Sequence, residues 1–210
     1  MSAKTVIAAV TLLLLGACGC ASSTHGEKMV QSYARTKDTV WQTRASVDVM
    51  MIALRDLRIL PAEHMKDAFR RYKTAIDQLE TEAASTKWRA TSMGQEQEEH
   101  IRAWQEEMKS IKDPSIKSTL QSRQEAVRTN FALIRLYADD VRKAYGPFVG
   151  GNKDIAQALS IDLSPAAAAS LAPAMDRVAA DGATLQQKLA AIERALNNIA
   201  SGTSPIGEIR

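Results

Sequence analysis

The chain has 210 residues, room for one domain or for one domain on a tether. Hydrophobic residues make up 45% but aromatics only 5%, and much of the apolar content is Ala, Leu, Met and Val, which argues for helices and against a β-rich core. The net charge is +3 with acids and bases interspersed, which excludes the basic stripe of a nucleic-acid binder.

The first segment reads as an export signal. Lys4 supplies a positive start, and Val6 to Leu15 is an apolar run interrupted only by Thr11. That run is too short for a bilayer span, which needs roughly 20 apolar residues, and suits a secretory signal. It ends in Leu15-Gly16-Ala17-Cys18, which resembles the lipobox of bacterial lipoproteins. The resemblance implies cleavage between Ala17 and Cys18, a signal peptide over 1–17 and lipid on Cys18. An ordinary cleaved signal with incidental cysteines is the alternative. Cleavage removes only Lys4 among the charges, leaving the chain near +2. One acyl chain holds a protein only marginally, and two or more hold it stably. Gly19 lacks the aspartate that marks inner-membrane retention in that family, which in a Gram-negative host implies the outer membrane, facing the periplasm. Cys18 and Cys20 are the only cysteines; they do not staple the fold and complete no metal site. The small polar residues from Cys20 to Gly26 read as a flexible tether, so that 18–26 links lipid to body.

From residue 27 onward apolar positions alternate spacings of three and four, a 3.5-residue period that predicts coiled-coil-like helical packing and leaves no place for strands. Segment one carries Tyr33, Val40, Val47 and Leu54, with Thr36, Thr43, Met50 and Leu57 between them. Segment two runs from Met65 through Tyr72, Leu79, Ala83, Thr86, Ala90, Gln97 and His100 to Met108, about 70 Å of helix. Segment three has seam positions Ile116, Leu120, Arg123, Val127, Asn130, Ile134 and Val141; Phe131, Leu133 and Leu136 beside them widen the stripe and predict more than one neighbour. Segment four runs from Leu171 through Val178, Gly182 and Leu189 to Ile199. Leu60-Pro61 separates the first two segments. Asp113-Pro114 and Ser164-Pro165 each place a capping side chain before a proline that has no N–H to waste. Gly146-Pro147 and Gly150-Gly151 predict a break, with a short helix from Lys153 to Leu159 in the connection. Short turns make neighbours antiparallel. The expectation is an all-α, elongated antiparallel bundle of about four segments over 27–200, with a disordered tail over 201–210.

Trp104 to Met108, Ile111 to Ser118 and Tyr145-Gly146-Pro147-Phe148 resemble an uncharacterised family of bacterial helical envelope proteins, often lipoproteins, known only as a domain of unknown function. The likeness supports the architecture and implies no catalytic residues.

The residues offer little chemistry. His100 follows Glu96 by four, but a di-iron bundle needs Glu-x-x-His on two helices, and none occurs at His25, His64 or His100. Glu96 to Glu99 and Asp139-Asp140 read as solvated helix faces, since paired catalytic carboxylates need a cleft that sets their pKa values apart. No phosphate loop, dinucleotide fingerprint, nucleophile elbow or zinc-protease motif is present. Polar seam residues (Gln97, His100, Arg123, Asn130) either fix register or mark a loosely packed, wet stretch. Trp88 points away from the seam: a candidate partner contact, or packing against a neighbouring helix on a broader face. The expected function is therefore a lipid-anchored, non-enzymatic spacer, scaffold or adaptor. It would touch the membrane through its lipid and a protein partner or second copy through helical faces, with no cofactor or metal. The alternative is a periplasmic bundle holding a small hydrophobic ligand or metal, as a carrier or sensor.

Overall fold

The computed structural model describes residues 20–202, with side chains from 27 to 199. Among them are α1 (Cys20–Ile59), a single 3-10 turn at Ala62–His64, α2 (Met65–Met108), α3 (Pro114–Ile161), a short α4 (Pro165–Ser170) and α5 (Ala172–Gly202), and no strand. The all-α expectation holds. The signal segment 1–17, Ala17, Cys18 and residues 203–210 lie outside the described residues.

The four long helices close a ring in which α1 packs on α2, α2 on α3, α3 on α5 and α5 on α1. Cross-helix pairs show that each neighbour runs antiparallel. Thr43 meets Thr86, and Asp56 meets Arg71, between α1 and α2. Asp140 meets Lys188, and Asn152 meets Tyr72, on the two sides of α3. The heptad seam is the core. All eight seam residues named in segment one are buried, as are Met175, Val178, Leu185, Leu189, Ile192 and Leu196 of α5. Fully burying a side chain of this size contributes roughly 1.5–3 kcal/mol, so this seam is the main source of stability.

Both expected caps form. Asp113 Oδ1 accepts from the Ser115 and Ile116 amides at 2.8 and 3.2 Å, with Pro114 at the first helical position. Ser164 Oγ accepts from the Ala167 amide at 3.1 Å ahead of α4. Asp113 is fully exposed, and its hydroxyl donor Ser115, then the backbone donors, hold its carboxyl below the usual range.

Three expectations are corrected. The helix does not break at Gly146-Pro147 or Gly150-Gly151, and Lys153 to Leu159 is not a separate short helix; α3 runs through all of them. An interior proline costs about 3 kcal/mol, but Phe148, Val149, Ile155 and Leu159 are all buried on the same stretch, worth roughly 1.5–3 kcal/mol each. Burial wins. Asn152 helps by donating from Nδ2 to the Phe148 carbonyl at 2.7 Å while receiving the Tyr72 hydroxyl at 2.8 Å. Residues 20–26 are helical backbone rather than a flexible tether. Adding a residue to an existing helix escapes the nucleation cost, so polar residues can follow an established neighbour. Likewise Ser201 and Gly202 still belong to α5 rather than to a tail.

The third correction concerns the seam of α3. Arg123 and Ile116 are exposed, and Gln124 is buried instead. The pairs Asp140–Lys188 and Gly151–Val178 set a register that runs α5 out near Val127. Beyond that point α3 has lost a neighbour and turns toward α2, where Gln124 Nε2 reaches the Ile101 carbonyl at 3.3 Å. Phe131 is buried as part of the wider stripe, but Leu133 and Leu136 are exposed. The two ends of the bundle therefore differ. One holds the α1–α2 and α3–α5 connections. The other holds the start of α1, the end of α5 and the projecting α2–α3 turn at Lys109–Asp113.

Candidate functional site: a cleft between α2 and α3

On the side where α2 faces α3 the bundle is not closed. The seam of α2 there is Ala83, Thr86 and Ala90, and these short side chains do not reach across. They leave a cleft of about 710 Å³. Its opposite wall is Phe131, Ile134, Ala138 and Val141 of α3; its floor is Val40 of α1 with Leu185 and Leu189 of α5. An enclosed dry void of this volume would cost on the order of 17 kcal/mol at about 24 cal/mol per Å³. That exceeds the whole stability of an ordinary domain. The cleft is accordingly open to solvent along its rim.

The polar atoms in the floor are already satisfied. Thr86 Oγ1 donates to the Thr39 carbonyl at 2.9 Å and accepts from Thr43 Oγ1 at 2.9 Å. Thr36 Oγ1 donates to the Ser32 carbonyl at 2.9 Å. Thr43 and Thr86 tie α1 to α2 beneath the cleft, while Thr36 bonds back within α1, so the interior presents methyl groups and satisfied hydroxyls.

The rim is charged and mostly neutralised. Glu80 takes Lys153 Nζ of α3 at 2.6 Å, and Glu98 takes Arg135 at 3.2 Å. These pairs bridge α2 and α3 at opposite ends of the opening, about 27 Å apart along α2. Asp139 pairs with Arg142 at 3.1 Å. Each acid lining the cleft thus has a cation. Lys87, in the middle of the opening, has no carboxylate within ion-pair distance among the described residues. Tyr145 closes the Glu80 end; burial, then the charge of Glu80, pushes its hydroxyl pKa up.

Of the residues singled out in the sequence, Trp88 is 61% exposed on the outer face of α2, with the Arg89 guanidinium 4.6 Å from its ring. It adjoins Lys87 in the chain but points away from the cleft. Cys18 lies outside the described residues. His100 is half-buried, its ring 5.6 Å from that of Trp104, and Glu96 accepts from Ser92 on its own helix. Gln97 is buried, and its Oε1 has no hydrogen-bond partner. Among the described residues no group of three His, Cys, Asp or Glu is arranged to hold a metal, and no helix is long and apolar enough to cross a membrane. Asp139 and Asp140 face different neighbours, Arg142 and Lys188.

Two features escaped sequence reasoning. The run Ala83, Thr86, Ala90 was visible as seam, and its small size was the signal for a hole. The second is an apolar stripe on the outer face of α1, where Trp41 (60% exposed), Val49, Ile52 and Ile59 recur at helical spacing. They share α1 with a fully buried inner seam, so the helix is apolar on both sides and its outer stripe is masked in a single-face reading.

No family model, curated protein or solved structure matches the chain. The resemblances of residues 15–18 and of the segments around Trp104 and Tyr145 rest on those residues alone.

Proposed function

We propose that the chain is a non-enzymatic, lipid-anchored envelope protein that holds a small hydrophobic ligand between α2 and α3, as a carrier or sensor. The observation that carries this reading is the apolar cleft: about 710 Å³, within the range of roughly 300–1,000 Å³ typical of small-molecule sites. The anchor is argued from Lys4, the apolar run and Leu15-Gly16-Ala17-Cys18. With lipid on Cys18 in a Gram-negative host, the protein sits on the periplasmic side of the outer membrane. Cys20 opens α1 at the same end as the α2–α3 turn, so that end lies next to the lipid and the far connections stand about 60 Å away. Binding is tested by the thermal stability of lipid-stripped protein against a set of apolar ligands. A ligand at ten times its Kd should add about 1.4 kcal/mol, and no stabilisation by any of them refutes the reading. For the anchor, Cys18→Ala should release the protein from washed membranes.

A second reading, spacer, scaffold or adaptor, is favoured by the exposed stripe of α1 with Trp41 and by Trp88. Crosslinking in intact cells should then recover a specific envelope partner or a homo-oligomer; a dispersed monomer sinks it. Neither reading uses a cofactor, a metal or nucleic acid.

A further inference from the structure

The cleft's shape and the one unbalanced charge on its rim among the described residues say more than that something apolar enters it. Resting on the ligand-binding reading, we propose that the ligand is a single-chain amphiphile with an anionic head. Its hydrocarbon chain lies along the slot between α2 and α3, and its head sits at Lys87.

Shape comes first. The lining of α2 extends from Glu80 to Glu98, about 27 Å. An unbranched hydrocarbon chain can lie along a lining of that length. A cage or a compact fused-ring skeleton leaves most of it unfilled. The walls agree, being mostly aliphatic with Phe131 and Tyr145 among them, and the floor threonines are already hydrogen-bonded, so nothing there rewards a polar ligand.

Charge comes second. Glu80, Glu98 and Asp139 are each neutralised within the protein, so among the described residues the rim's surplus is the ammonium of Lys87. Lys87 stands between the two ion pairs that bridge the opening. From there a chain can run along Ala90 and Ile134 as far as Phe131, whose ring closes on Gly94, with its head still in solvent. An anionic head gains a charge-assisted contact there. A cationic head meets like charge, and a neutral head gains no charge-assisted contact.

The test compares three probes on lipid-stripped full-length chain by calorimetry: dodecanoate, dodecanol and adamantane-1-carboxylate. Dodecanoate should bind one to one, about tenfold tighter than dodecanol, and adamantane-1-carboxylate should not bind measurably. Lys87→Gln, at an exposed position that does not threaten the fold, should bring dodecanoate down to the affinity of dodecanol and leave dodecanol unchanged. Equal affinity of dodecanoate and dodecanol for the parent protein overturns the role of the head. Adamantane-1-carboxylate binding as tightly as dodecanoate overturns the chain-shaped slot while sparing the wider ligand-binding reading. Failure of these probes and of every other apolar ligand to bind overturns both.

Discussion

Replacing Ala90 by Leu adds three carbons to a half-buried seam position whose side chain points into the α2–α3 cleft. At about 0.8 kcal/mol per buried CH₂ the full gain is about 2.4 kcal/mol. The cleft is open, so roughly half of that area is removed from water. Leu is nearly as good a helix former as Ala and costs only a few tenths of a kcal/mol. The net expectation is stabilisation of about 1 kcal/mol, a rise in Tm of roughly 2–4 °C for a chain of this length. Urea unfolding followed by circular dichroism measures it, and the slope with denaturant should be unchanged. The same variant should lose ligand binding, because the new side chain occupies the slot. The sign is the informative part. Overpacking a filled core costs about 1–3 kcal/mol; a destabilised Ala90→Leu would mean that the space is not there, and the proposed function would fall with it.

Two further outcomes follow from residues elsewhere in the bundle. Gly94→Ala should stabilise by up to about 1 kcal/mol, since Gly is poor in a helix interior and the new Cβ would stand 3.6 Å from Phe131 Cζ, ordinary contact. Gly182→Ala should instead destabilise, because its Cβ would stand 2.5 Å from Met51 Sδ and 2.7 Å from Phe148 Cε2, and paired urea melts separate the two signs. High pH is a third test. Burial pushes the Tyr33 hydroxyl up to about 12, and raises that of Tyr72 as well. An acid whose pKa is raised on folding stabilises fully below its unfolded value of 10.0 and progressively less as pH climbs toward the folded value. At pH 11 Tyr33 alone should have lost about 1.4 kcal/mol of its contribution. Tyr33→Phe should flatten the alkaline limb of the stability curve, and an unchanged limb would contradict the burial argument.

The helices were readable wherever a seam residue meets a full ring of neighbours. Val40, Val47 and Leu54 on α1, and Leu185, Leu189 and Leu196 on α5, obey the heptad because both helices are enclosed on two sides. Reading by pattern failed where the number of neighbours changes. Arg123 and Gln124 exchange places because α5 has ended, and no local spacing reports the length of a helix elsewhere in the chain. Pro147 misled for the opposite reason: a local breaker was outweighed by Phe148 and Ile155, whose burial depends on α5 and α2. The cleft was half legible. Ala83, Thr86 and Ala90 were identified as seam, but whether small residues let helices approach or leave them apart depends on what faces them. At Gly151 and Gly182 the neighbours close in; at Ala90 the ion pairs Glu80–Lys153 and Glu98–Arg135 hold α2 and α3 across an opening.

The ring closes through its most distant members. α1 finds α2 across a few residues of turn, but its other flank waits for α5, which enters the chain more than a hundred residues after α1 ends. Arg44 makes that closure visible: its guanidinium pairs with Glu193, and its own carbonyl accepts from Gln186 at 2.8 Å. Contacts so far apart in sequence form slowly and form late. A chain emerging start-first from a ribosome therefore makes an α1–α2 hairpin with one apolar flank open until α5 follows and seals it. A product cut short before α5 would keep that flank exposed and remain open to proteases. In this way α5 acts as a check on synthesis: only a chain that includes it hides the surface that would mark the protein for removal.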